Sequence, residues 1–172
     1  MDQSKKKRSL FNERLLVDIP EAYQVMDIKK AEMMYPYEKR PQIMLEDKAG
    51  ARLCTFSLLK EQRLSKNQVE EAIHSITKII LSLYPSSLLR KPEVLRRKEG
   101  GCGWFAFQTS QREGKLYNIM YVFPVDGWMM LGTMGCRMED EAGKKNMIEI
   151  MNSLEIPEVE PSYVKARKLL FS

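Results

Sequence analysis

One histidine, His74, and three widely spaced cysteines, Cys54, Cys102 and Cys136, are all the imidazole and thiol metal ligands this chain of 172 residues carries. They offer no zinc spacing and no disulfide framework, so neither a metal nor another cofactor is expected. An odd number of thiols suits a reducing cytoplasm. No apolar run approaches the roughly 18 residues that cross a bilayer. Met1–Arg8 is polar and basic, and Ser9–Arg14 is polar again where a secretory leader would turn apolar. No signal peptide is therefore expected, and the location expected is cytoplasmic. There is no Gly-Lys-Ser/Thr phosphate loop and no Gly-x-Ser-x-Gly elbow. The glycines at 100, 101 and 103 lead into a strand-like run, whereas a phosphate cradle opens a helix. Asp126-Gly127 lacks the acidic ladder of a calcium loop and reads as a hairpin turn.

What is present is ordinary soluble composition, 44% hydrophobic and 30% charged, with a net charge of +5. The densest apolar stretch runs from Gly103 to Cys136. Three strand-length runs, GWFAFQTS, KLYNIMYVFP and WMMLGTMGC, are separated by turns at Gln111–Gly114 and Val125–Gly127. That pattern predicts an antiparallel meander. Upstream, Leu15–Pro20 reads as a strand, Tyr23–Ile28 alternates as a second, and Lys29–Met34 fixes no period. Gln42–Glu46 and Ala51–Leu59 form a further pair, with Cys54, Phe56 and Leu58 facing inward.

Ser65 and Gln68 have capping-box spacing, and Leu64 with Val69 can form a hydrophobic staple. They open a helix expected over 66–84. Its stripe, which includes Ile73, Ile76, Ile79, Ile80 and Leu83, is worth about 2 kcal/mol per large side chain buried. The meander is its natural partner. Ser86–Pro92 reads as a loop and Glu93–Lys98 as an outer strand. Glu139-Asp140-Glu141 starts a second main helix over about 141–153. The architecture expected is α+β: a twisted antiparallel sheet flanked by two main helices. Residues 1–12 read as a flexible basic N-terminus, 13–156 as a single domain, and 157–172 as a tail that could form a short helix.

Three kinds of site have candidates. Tyr35, Tyr37, Lys39 and Arg40 lie in a proline-broken loop and could contact a protein partner, although such residues more often pack a loop onto a sheet. Exposed-looking Met33 and Met34 beside them would suit an adaptable interface. Arg90, Lys91, Arg96, Arg97 and Lys98 could hold nucleic acid or another polyanion, with Trp104, Tyr117 and Tyr121 as stacking faces. Each basic cluster alone is more often a solvated face, as is Lys5–Arg8 at the N-terminus. Cys102 could serve as a nucleophile in a glycine turn, but His74 is the one histidine able to act as its base, and nothing in the sequence joins them. A buried structural thiol is the commoner role. A non-enzymatic binding or adaptor protein leads, ahead of polyanion binding and of a thiol enzyme.

The order of elements carries a resemblance. Leu16-Val17-Asp18-Ile19-Pro20-Glu21-Ala22-Tyr23, the helix Gln68–Tyr84, the meander Trp104–Leu131 and Ile148–Leu154 together resemble the PsbP-like superfamily. That superfamily includes photosystem II extrinsic proteins, nuclear import factors that bind the Ran GTPase, and uncharacterised bacterial proteins; a cytosolic bacterial member is the nearest comparison. The resemblance implies an antiparallel sheet flanked by helices and a binding or assembly role. It supplies no site residues, because fold does not fix function.

Overall fold

The computed structural model describes residues 4–36, 40–85, 88–96 and 101–157. In chain order these form β1 (Lys5–Leu10), β2 (Leu15–Pro20), β3 (Gln24–Val25), α1 (Ile28–Met34), β4 (Ile43–Glu46) and β5 (Leu53–Arg63). A 3-10 turn at Lys66–Gln68 then leads into α2 (Val69–Leu83), β6 (Leu88–Leu89) and β7 (Glu93–Leu95). β8 (Cys102–Gln111), β9 (Gly114–Val125), β10 (Trp128–Arg137) and α3 (Glu141–Asn152) complete the set. β1 and β2 form a separate hairpin, and the other strands make one antiparallel sheet ordered β3-β4-β5-β10-β9-β8-β6, with β7 beside β6 on β8. The fold is thus α+β, with three α-helices among the described residues.

The meander forms as its alternation requires. Asp126 and Gly127, at φ 55° and 78°, close the two-residue turn between β9 and β10. Tyr121 and Gly132 are direct cross-strand partners. The Tyr121 ring lies over that glycine so closely that a Cβ there would stand 2.0 Å from Cζ. α2 begins at the capping box, with Ser65 N–H donating to Gln68 Oε1 at 3.0 Å. Leu64 and Val69 are both buried, as the staple demands.

Several expectations need correction. The N-terminus is not a loose tail from Lys5 onward: β1 pairs along all of β2. Lys5 pairs with Glu149 and Lys7 with Glu155, and the Arg8 guanidinium donates to the carbonyls of Pro20, Glu21 and Tyr23. The lysines found acids more than 140 residues away, which local charge patterning does not reveal. The β1–β2 turn places Phe11, Asn12 and Glu13 at φ 55°, 54° and 67°, three consecutive left-handed residues without a glycine. The strand expected over Tyr23–Ile28 shrinks to Gln24–Val25, because Ile28 already belongs to α1. Leu88–Leu89 is a short edge strand rather than loop. The α2 stripe is narrower than its spacing suggested: Ile79 and Leu83 are 55% and 65% exposed. The expected tail helix lies outside the described residues.

The sheet has two unequal faces. One carries Phe56, Tyr121, Phe123 and Met130 and is sealed by Leu15, Val17 and Ile19 of the hairpin and by Met147, Ile150 and Met151 of α3. α3 is tied down by Asp140. That carboxylate accepts Arg52 Nε at 2.8 Å and Nη2 at 3.0 Å, and its Oδ1 accepts the Gly143 N–H at 2.9 Å. The Arg52 hydrogen bond holds the Asp140 carboxyl below its usual range, against the opposing effect of burial. A depressed carboxyl adds stability above its unfolded pKa and loses it as pH falls toward the folded one. Asp140→Asn should cost about 2 kcal/mol at neutral pH. It should also flatten the acid limb of a urea-midpoint profile below about pH 4. Equal acid sensitivity in both proteins would deny Asp140 this role.

The Tyr121 hydroxyl is buried without a hydrogen-bond partner among the described residues, and burial drives its pKa well up. Tyr121→Phe should therefore raise stability by about 1 kcal/mol, whereas Gly132→Ala should lower it by about 3 kcal/mol or more. Chemical denaturation of the two variants reads both effects.

Candidate binding face

The parity of the strands assigns every side chain to one face. Opposite the sealed face, α2 packs Val69 and Ile73 onto β8 at Gly103 and joins a cluster with Phe105 and Val122. At the other end, Ala31 of α1 clusters with Met26 and with Met44 of β4. Among the described residues no element lies over the strands between, β5 and β10. There a cleft of about 2070 Å³ opens, floored by Ser57, Asn118, Met120, Leu131 and Thr133. These floor residues are half-buried, whereas their neighbours on the sealed face are inaccessible.

The floor is polar but uncharged, and its polar groups are largely satisfied. Thr55 and Thr133 share a hydrogen bond across β5 and β10. The Tyr35 hydroxyl reaches in from the end of α1 beside Thr133. Burial raises its pKa, and the neighbouring Thr133 opposes that rise. Asn118 Nδ2 donates to the Phe107 carbonyl at 3.3 Å and to Thr109 Oγ1 at 3.1 Å. Arg40 Nε donates to the Tyr35 carbonyl at 2.9 Å, holding the loop at the mouth. Gln42 pairs its amide with both the N–H and the carbonyl of Leu58, which closes the edge of β5 where β4 stops. The rim is apolar and exposed: Met34 at the end of α1 is 46% accessible, and Leu83 and Tyr84 stand exposed at the end of α2.

Of the proposed partner loop, Tyr35 and Arg40 thus sit at this cleft. Tyr37 and Lys39 lie outside the described residues. The basic cluster is divided. Leu89 and Val94 pack toward α2. By alternation Arg90 therefore shares a face with Trp104 and Tyr117, while Arg96 points toward α2, 3.9 Å from Glu70. Lys91 is exposed, and Arg97 and Lys98 lie outside the described residues. Tyr121 cannot stack with a base, because it is buried in the core. The proposed thiol site is not assembled. Cys102 is a strand residue, 0% exposed, and it faces the sealed core rather than a turn. His74 is exposed on α2, across the sheet from it. Among the described residues no three metal-ligating side chains gather, and no helix is long and apolar enough to cross a membrane.

The floor residues escaped the sequence reading. Their signal was the polar half of the alternation, Thr55 and Ser57 in β5 and Thr133 in β10, set between buried apolar residues. If Thr55 and Thr133 act as one hydrogen-bonded unit, Thr55→Val and Thr133→Val should each cost about 1 kcal/mol. The double variant should cost little more than either alone. Full additivity in urea melts would separate them.

No protein-family model and no curated protein matches the sequence. Solved structures do match at the level of fold. The cyanobacterial PsbP protein CyanoP from Synechocystis sp. PCC 6803 is similar with a TM-score of 0.65 at 9% identity, over 91% of this chain and 95% of that one. The Saccharomyces cerevisiae Ran-binding protein Mog1p is similar with a TM-score of 0.57 at 8% identity, over 90% of this chain and 96% of that one. A Bacteroides thetaiotaomicron protein gives 0.62 at 8% identity, with this chain spanning 50% of its length. The fold is PsbP/Mog1-like.

Proposed function

We propose that this chain is a non-enzymatic binding protein that holds a protein partner on the open sheet face between α1 and α2. The observation that carries the proposal is the unequal covering of the sheet. One face is sealed by a hairpin and a helix, while the other leaves a half-buried floor between two helices whose exposed apolar residues form its rim. Exposed apolar patches bordered by polar groups mark interaction surfaces. Tyr35 and Arg40 at the mouth belong to the same proposal, with Tyr37 and Lys39 as their neighbours in sequence, and so does a cytoplasmic location. Mog1p, with the same fold, is a Ran-binding protein. That supports binding as a use of the architecture and leaves the partner of this chain open. Polyanion binding draws less support, since Arg90 and Arg96 point to opposite faces. A thiol mechanism draws less still, since Cys102 is enclosed.

The test is affinity capture from the native cytosol at low and high salt, using the wild type, Ser57→Glu on the cleft floor, and Leu88→Glu on the other face. A stoichiometric protein that survives high salt and is lost only with Ser57→Glu is the expected result. Retention of the same protein by Ser57→Glu, or capture of nucleic acid that washes off with salt, would overturn the proposal.

A further inference from the structure

The volume of the cleft, about 2070 Å³, is the first constraint on what fills it. Pockets for small molecules enclose roughly 300–1,000 Å³, so the space suits a segment of polypeptide better. Its width is the second. α2 packs over β8 and β9, and α1 over β4. Counting across the sheet order, their axes are about three and a half strand spacings apart, or ~17 Å. Packed helices lie 8–10 Å apart, so the gap is about two interhelical distances, the room left by one missing helix. Length is the third. The floor along β10 from Leu131 to Arg137 is six residue steps, roughly 20 Å, which a helix of about 13 residues spans. A cylinder of that length and ~10 Å diameter encloses about 1,600 Å³, comparable with the cleft.

Charge supplies the fourth constraint. Among the charged side chains that line the cleft, Lys30 pairs with Glu46, and Arg14 with Asp126. Outside those pairs stand Arg40, Lys60 and Arg137 against Glu61 and Glu113. The cations exceed the anions by one, and a cation stands at each end. Arg40 lies two residues before Gln42, whose amide holds Leu58, and Arg137 ends β10 six residues beyond Leu131.

We infer that the slot takes an amphipathic α-helix of about 13 residues from a protein partner, with its apolar stripe on Met120 and Leu131 and its carboxylates near Arg40 and Arg137. The helix would complete the second helical layer of the sheet. This rests on the reading of the open face as a binding surface, and it names the chemistry of what binds there.

The full-length chain can be panned against a display library of random, unconstrained 20-residue peptides. Enriched sequences should repeat apolar residues at i, i+3, i+4 and i+7, with Asp or Glu toward both ends. A synthetic peptide of the leading sequence should gain helical circular dichroism on binding. Ser57→Glu, and separately Asn118→Lys on β9, should weaken it about tenfold or more, while Arg137→Glu weakens it several-fold in a salt-sensitive way. Leu88→Glu should leave it unchanged. Thermal melts establish that each variant is folded.

Peptides that bind the slot in extended form, without gaining helicity, would overturn the helix while leaving the open-face reading intact. Helices with basic ends, strengthened by Arg137→Glu, would overturn the charge assignment. Full-affinity binding to Ser57→Glu and Asn118→Lys would overturn both readings, as would a library that enriches nothing.

Discussion

Tyr121 lying on the backbone of Gly132 is the contact around which the two central strands are built. The two residues face each other directly in the β9–β10 register, and the space a Cβ would need at Gly132 is already filled by the ring. A slip of one residue would move the ring to the opposite face and place a side chain where the glycine now stands. The pair therefore fixes which residues of the meander face the sealed core. It is retained although the hydroxyl is buried without a partner among the described residues. The ring supplies area that the glycine lacks, which offsets an unsatisfied polar atom.

Once that register is set, covering the sealed face is a problem of long-range closure. The hairpin is held over the core by ion pairs between β1 and the far end of the chain. A mutual backbone exchange between Leu16 and Glu155 adds to this, with N···O distances of 2.8 and 2.9 Å. α3 is fixed by Arg52, which enters from the start of β5. Each of these contacts joins residues about 90 to 150 positions apart in sequence. Charge here sets the position of surfaces whose stability comes from apolar area. Exposed pairs contribute little by themselves, but these decide where a hairpin and a helix come to rest.

The parts of this arrangement that could be read from sequence are those governed by local periodicity. The meander, the helix with its capping box and the Asp140-led α3 all follow from spacing within a window of some 15 residues. What escaped depends on partners far away. Lys5 and Lys7 look like a solvated terminus until Glu149 and Glu155 are placed beside them. Lys29–Met34 had no clear period because α1 is a seven-residue helix with a single buried residue, Ala31. Ile79 and Leu83 follow the stripe of α2 but extend over a stretch of sheet that offers no apolar cover. The same reasoning hid the candidate site. Met33, Met34 and Tyr35 stood out individually, whereas Thr55, Ser57, Thr133 and Asn118 are spread over three strands, and only the sheet assembles them into a floor.

That floor reconciles two opposing demands. A wholly apolar surface as broad as this slot would favour aggregation, and a charged one would resist a packed partner. Here the polar positions are neutral and largely satisfied by one another: Thr55 with Thr133, and Asn118 with Thr109 and a backbone carbonyl. No carboxylate or ammonium group has to be desolvated at the centre when something docks. Between these pairs, Met120 and Leu131 remain half-buried by α2 and available for further contact. The open face can thus stand in water unoccupied and still gain apolar burial on binding. This combination suits the reversible association proposed for the face better than it suits an unfinished core.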